Sequence, residues 1–177
     1  MNSNTGNDKR TGGASSEFQE NLDILRQIDF FSGIPLEAIK VIAYLCFRET
    51  FKTGDYLFSQ DDEDGRALYV ISGTVAVQSN LEGVNKSIGT LQAGEFVGRL
   101  ALVGNMRRLF ALKAETDVIC LTLSRDKFTK VLEQFPQIMP KMINTVVGCI
   151  YKWEKQFIHG LPESCDCCLP KLGVSLV

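Results

Sequence analysis

Between residues 49 and 123 the apolar side chains recur at every second position, in short runs separated by turn residues. This period-two pattern excludes long helices there. It predicts strands over Thr50–Lys52, Tyr56–Gln60, Ala67–Ser72, Thr74–Ser79, Lys86–Leu91, Arg108–Glu115 and Val118–Leu123. Turn signals lie between them: Thr53-Gly54-Asp55, the acidic run Asp61 to Gly65, Ser72-Gly73, Asn80 to Asn85, and Ala93-Gly94-Glu95. Many short strands must close into a sandwich or a barrel, and a double-sheet jelly roll is one such closure. The spacing alone does not choose among them.

Helical periods flank the strands. Ser16 is placed to cap a helix carrying Leu22, Leu25 and Ile28, and Asp29 to Gly33 breaks it. Pro35 opens a second helix with Ile39, Ile42, Ala43 and Cys46 on one face. Beyond the strands, Ser124 caps Arg125–Glu133, Phe135-Pro136 interrupts, and a long helix runs from about Gln137 to Phe157. On it Met139, Ile143, Val146, Ile150, Trp153 and Phe157 form a heptad seam. The same helix packed on its own barrel would instead bury Met142 and Val147, and both readings stand. Residues 1–16 are poor in large apolar side chains and are expected to be disordered. The folded domain is expected over residues 17–158, with a flexible cysteine-bearing tail over 159–177.

The 177 residues suffice for one domain with a real core. A net charge of −2 supplies no basic field for nucleic acid. The chain shows neither a membrane-spanning apolar run nor the apolar core of a signal peptide, so the expected location is the cytoplasm. Cys46, Cys120 and Cys149 sit in apolar patterns as small core residues. Cys165, Cys167 and Cys168 cluster in the tail, with no second pair to complete a metal site, and are read as exposed thiols. Asp61 to Asp64 lacks the ligand spacing of a calcium loop and is read as a solvated loop. His159 is the single histidine. With no nucleophile elbow and no paired-carboxylate motif, the chain is not expected to be an enzyme, and no metal is expected.

One stretch carries chemistry: Gly94 to Ala114, GEFVGRLALVGNMRRLFALKA. Gly98 allows backbone to approach an anion closely, N–H groups of a short following helix can donate to it, and a guanidinium can clamp it. The stretch resembles the phosphate-binding cassette of the cyclic nucleotide-binding domain family. That family's approximate pattern is Phe-Gly-Glu-Leu-Ala-Leu, a loop, then Pro-Arg-Ala-Ala. Here it reads Val97-Gly98-Arg99-Leu100-Ala101-Leu102, then Arg107-Arg108-Leu109-Phe110-Ala111. FFSGIP, FKTGDYLFSQ, LYVISGTVAV, LQAGEF and DVICLTLSRDKF follow the family's order, so the resemblance covers about Leu25 to Glu154.

The resemblance implies a mainly β jelly roll with flanking helices and a long C-terminal helix. It implies a binding cassette of Gly98, Arg99, Leu100, Ala101, Arg107, Arg108 and Leu109, with the phosphate arginine at Arg108. The glutamate that accepts from the ribose 2′-hydroxyl falls on Arg99, and a guanidinium accepts no hydrogen bond. Leu109 and Phe110 stand where the family prefers small residues, and their bulk would fill the hollow. The expected function is a regulatory sensor domain acting through a protein partner or self-association, with cAMP or cGMP binding weakened or lost. No other cofactor is implied. The alternatives are a sensor for another anionic ligand, held by Arg99, Arg107 and Arg108, or an empty interaction scaffold whose arginines pair with acids such as Glu95. The family's transcription factors dimerise through the helix equivalent to Met139–Phe157, so a homodimer is implied. The residues after it leave no room for a recognition helix, so no direct nucleic-acid contact is expected.

Overall fold

The computed structural model describes residues 9–81 and 84–159. Its first compact unit ends at Pro136, and its second begins at Gln137. The first opens with α1 (Lys9–Gln27), a 3₁₀ turn (Asp29–Phe31) and α2 (Leu36–Leu45). Strands β1 (Phe47–Phe51), β2 (Tyr56–Phe58), β3 (Arg66–Ser72), β4 (Thr74–Leu81), β5 (Val84–Gln92) and β6 (Phe96–Val97) follow. Then come α3 (Arg99–Val103), β7 (Ala111–Ala114), β8 (Val118–Ser124) and α4 (Arg125–Gln134). The second unit is built on α5 (Met139–His159).

The strands form two four-stranded antiparallel sheets, β1-β8-β3-β6 and β2-β7-β4-β5. Between them Leu57, Phe58, Leu68, Val70, Val75, Leu112, Ala114, Val118 and Cys120 make one buried apolar cluster. Alternation along each strand sends these side chains inward, and their burial is the main force closing the jelly roll. Burial also pushes the Cys46 and Cys120 thiols up to about 12, so neither forms a reactive thiolate near neutral pH.

Helices close one end. Leu22 and Leu25 of α1 and Ile39 and Ile42 of α2 are buried, and α1 packs on α2. Phe30 and Phe31 of the 3₁₀ turn meet Phe96 of β6 and Phe128 of α4, with ring centroids 5.1–6.3 Å apart. This aromatic knot fixes β6, and β6 leads directly into the cassette.

Three boundaries differ from expectation. First, α1 begins at Lys9, so residues 9–16 are helical rather than disordered; residues 1–8 lie outside the described residues. Once Leu22 and Leu25 dock, each further helical residue adds a hydrogen bond at little cost. Ser16 therefore lies within the helix, its hydroxyl 3.3 Å from Glu20. Second, β1 starts at Phe47, because paired charges stand in for apolar alternation: Arg66 binds the Glu49 carboxylate at 3.0 Å and Thr122 donates to it at 2.6 Å. Third, β7 starts at Ala111, so Arg107 and Arg108 precede it. The tail residues 160–177, with Cys165, Cys167 and Cys168, lie outside the described residues.

Candidate functional site

The cassette is built where β6 ends. Val97 pairs with Leu68, which sets the next residue, Gly98, against the backbone of Arg66 and Ala67. Gly98 has φ +85°, and a Cβ there would lie 2.5 Å from the Arg66 carbonyl and 2.9 Å from Arg108 Nη1. Only glycine turns the chain here without displacing the arginine. The chain then makes the single turn of α3, with the Ala101 N–H donating to the Gly98 carbonyl at 3.0 Å. Ala101 is buried under this turn.

Arg108 is held by an unexpected partner, the acidic loop. Its backbone N–H donates to Asp62 at 2.9 Å and its carbonyl accepts from Asp61 at 2.8 Å, so it pairs with the loop instead of a strand. Its guanidinium donates to Asp64 Oδ1 through Nε at 2.8 Å and through Nη2 at 2.6 Å, and Nη2 also reaches the Arg66 carbonyl. It lies 4.0 Å from the centroid of the Phe58 ring and is only 4% exposed. Burial pulls this guanidinium down from its usual value, and the Asp64 carboxylate opposes that shift.

Asp64 does double duty. Its other oxygen accepts from Arg66 Nε at 2.9 Å, and Arg66 continues to Glu49 at 3.0 Å. A chain of alternating charge, Arg108–Asp64–Arg66–Glu49, thus runs from the cassette to Thr122 of β8. Asp61, Asp62 and Glu63 are exposed, as expected of a solvated loop, and only Asp64 is drawn inward. Asp62 accepts from the Ser59 N–H at 2.7 Å, Glu63 takes Arg107 at 2.8 Å, and Asp64 takes Arg108. Glu95, the acid expected beside the arginines, instead accepts from the Gln92 N–H in its own turn.

One cavity of about 210 Å³ lies within the cassette, lined by Val97, Gly98, Arg99, Leu100, Met106, Arg108, Leu109 and Phe110. Five of the seven expected site residues therefore line it: Gly98, Arg99, Leu100, Arg108 and Leu109. Arg107 does not; it is exposed and paired with Glu63. Ala101 supports the floor. Leu109 is 74% exposed at the mouth, so its bulk does not fill the hollow. Phe110 does occupy inner space, 5.9 Å from Phe58 between ring centroids. Arg99 lines this cavity and also a second one, of about 340 Å³, bordered by Gln27, Asp29, Tyr69 and Phe96. Its Nη2 lies 3.5 Å from the Phe96 carbonyl.

Local periodicity does not reveal the roles of Asp64, Glu63 and Phe58. The one signal for them is charge complementarity, Asp61-Asp62-Glu63-Asp64 against Arg107-Arg108, separated by more than forty residues of chain.

Residues 48–135 match the family model described as the cyclic nucleotide-binding domain. The human cGMP-dependent protein kinase 2 is 28% identical over 133 residues, which covers 73% of this chain. The chain spans only 17% of that kinase's length. The crystal structure of the N-terminal domain of a Streptomyces coelicolor transcriptional regulator superposes with a TM-score of 0.67 at 22% identity, over 81% of this chain and 97% of that one. The regulatory domain of Toxoplasma gondii protein kinase A, solved with cAMP, superposes at 0.62 with 18% identity, over 76% of this chain and 52% of that one. With the cassette at the end of β6 and the jelly roll around it, the chain belongs to the cyclic nucleotide-binding domain family.

Proposed function

We propose that this chain is a non-catalytic regulatory domain acting in the cytoplasm, whose cassette has lost most of its affinity for cyclic mononucleotides. One observation carries this reading. Arg99 lines the cavity beside Arg108, and among the described residues no carboxylate, amide or hydroxyl side chain lines it. A ribose 2′-hydroxyl entering there has no side-chain acceptor. The missing charged hydrogen bond costs about 1.5–3 kcal/mol, one to two powers of ten in affinity. The hollow is also small against the ~300–1,000 Å³ of ordinary ligand pockets. Titration calorimetry of the full chain with cAMP and cGMP tests the reading. No heat at micromolar ligand is the expected result, and submicromolar binding of either nucleotide overturns it.

An empty scaffold is the competing reading, favoured by the bonds Arg108 already makes to Asp64 and the Arg66 carbonyl. Output by either route would pass through a protein partner or a second copy. α5 offers a face for the latter. Met139, Ile143, Val147 and Tyr151 are 40–62% exposed at steps of four residues, while Met142 is buried. This stripe differs from the expected seam in using Val147 and Tyr151 where Val146 and Ile150 are half-buried. The side chains of Trp153 and Phe157 lie outside the described residues. Sedimentation of the full chain at tens of micromolar is expected to give a dimer, and Ile143→Glu with Val147→Glu a monomer. A wild-type monomer sinks the self-association route.

A further inference from the structure

We propose that a separate cavity, on the outer face of the β2-β7-β4-β5 sheet, takes an uncharged pyranose sugar. The cavity has a volume of about 350 Å³ and shares no lining residue with the cassette cavity. Alternation along the strands builds it. Val75 of β4 and Leu112 and Ala114 of β7 turn into the core, so Gln78 and Ala111 face outward. These two are paired across the strands, and Tyr56 of β2 is paired with Lys113 in the next outward row. Small Ala111 leaves a hollow between Tyr56 on β2 and Gln78 on β4. Ser59 and Asp61, which follow β2, add to its wall.

The lining offers both senses of hydrogen bond beside an aromatic ring. Among the described residues the Asp61 carboxylate has no hydrogen-bond partner, and it can only accept. Gln78 Oε1 accepts from the Tyr56 hydroxyl at 3.4 Å, which leaves the Gln78 amide N–H groups to donate. The Ser59 hydroxyl can do either. Gln60 is spent on the Asn80 backbone, which ties the wall to β4. Asp61 is held in place by its backbone: it adopts φ +69°, a left-handed conformation that Asp tolerates, and its N–H donates to the Arg108 carbonyl at 2.8 Å. A ligand that fits must therefore donate to Asp61 and accept from Gln78, as neighbouring hydroxyl groups do. Ions fit poorly. Asp61 repels an anion, while Lys113, 5.4 Å from the centre of the Tyr56 ring, and Arg107, which feels the charge of Asp61, repel a cation. The Tyr56 side of the hollow is a half-exposed ring, on which the C–H face of a pyranose can lie. The hollow crosses three paired strands and does not follow a sheet edge, so it offers no ladder to an added peptide strand. Its volume falls within the ~300–1,000 Å³ of ordinary ligand pockets.

Amide-resolved NMR titration of the full chain tests this, with the methyl pyranosides of glucose, galactose, mannose and N-acetylglucosamine at up to tens of millimolar. At least one of them is expected to shift the signals of Asp61, Ala111 and the Gln78 side-chain amide saturably, while Gly98 and Leu100 of the cassette stay still. Sorbitol has the hydroxyls but no ring face, and it is expected to bind at least about fivefold more weakly. Tyr56→Ala is expected to weaken the pyranoside about fivefold or more. Asp61→Asn keeps the left-handed backbone and the bond to Arg108, so it does not threaten folding, and it is expected to weaken the pyranoside about threefold or more by removing the charged acceptor. The inference is overturned if none of the four pyranosides moves these signals, or if sorbitol, acetate or methylammonium matches the pyranoside. It is equally overturned if Asp61→Asn keeps full affinity. None of these results bears on the cassette, whose own titration with cAMP and cGMP stands apart.

Discussion

Arg99→Glu raises the affinity for cAMP by one to two powers of ten. The substitution changes one position in two ways. It removes a cation that stands on the same cavity wall as Arg108, and it supplies a carboxylate where, among the described residues, no carboxylate, amide or hydroxyl side chain lines the wall. A charged hydrogen bond to a ligand hydroxyl in a shielded site contributes about 1.5–3 kcal/mol, and each 1.4 kcal/mol is a factor of about ten. Gly98 and Arg108 already lie side by side, with Arg108 fixed by Asp64, and the substitution leaves both untouched. A gain in affinity is the sensitive readout, since mere unfolding would only weaken binding. Calorimetry on Arg99→Glu alone, and combined with Leu109→Ala to thin the mouth, checks the expectation. If Arg99→Glu folds and cAMP affinity stays flat, residue 99 does not govern sugar recognition, and Phe110, inside the hollow, becomes the controlling group.

Much of the fold was legible because its signals are local. Alternation in Ala67–Ser72 and Val118–Leu123 reports which side chains face inward, and β3 and β8 appear within a residue of where those patterns put them. Pro35 and Ser124 sit at the N-cap positions of α2 and α4, although Ser124 makes no side-chain capping hydrogen bond. The short cassette pattern likewise placed Gly98, Arg99 and Arg108 around one cavity. What stayed illegible depends on pairs distant in the chain. Phe47 to Glu49 reads as neither strand nor helix until Arg66 neutralises Glu49. Asp64 reads as one more acid of a solvated loop until Arg108 arrives from more than forty residues away. An ionic residue predicts its own exposure on average, and only a partner reverses that. Leu109 was misplaced for a related reason: its size is visible in the sequence, but the direction in which a non-strand residue points is not.

Asp64→Ala is expected to destabilise the protein by about 3–5 kcal/mol, the cost of leaving buried charge without its counter-ion. Asp64 is 17% exposed and serves two guanidiniums at once, Arg108 at 5% and Arg66 at 24% side-chain exposure. Removing it leaves Arg108 over the Phe58 ring with its bond to the Arg66 carbonyl, which carries no full charge. Arg66 is less affected, because it keeps Glu49 at 3.0 Å and the Leu57 carbonyl at 2.8 Å. At roughly 2–4 °C per kcal/mol for a chain of this size, the melting midpoint should fall by about 6–20 °C. By contrast, Glu63→Ala removes an exposed pair with Arg107 and should leave the midpoint nearly unchanged. The contrast between two adjacent acids isolates the effect of burial from that of charge. Asp64→Asn separates charge from hydrogen bonding, since an amide oxygen still accepts but carries no full charge. Its midpoint is expected to fall between those of the wild type and Asp64→Ala. Equal melting of Asp64→Ala and Glu63→Ala would mean that Arg108 escapes to water when its partner is lost, and that the wall of the cassette is not fixed by the acidic loop.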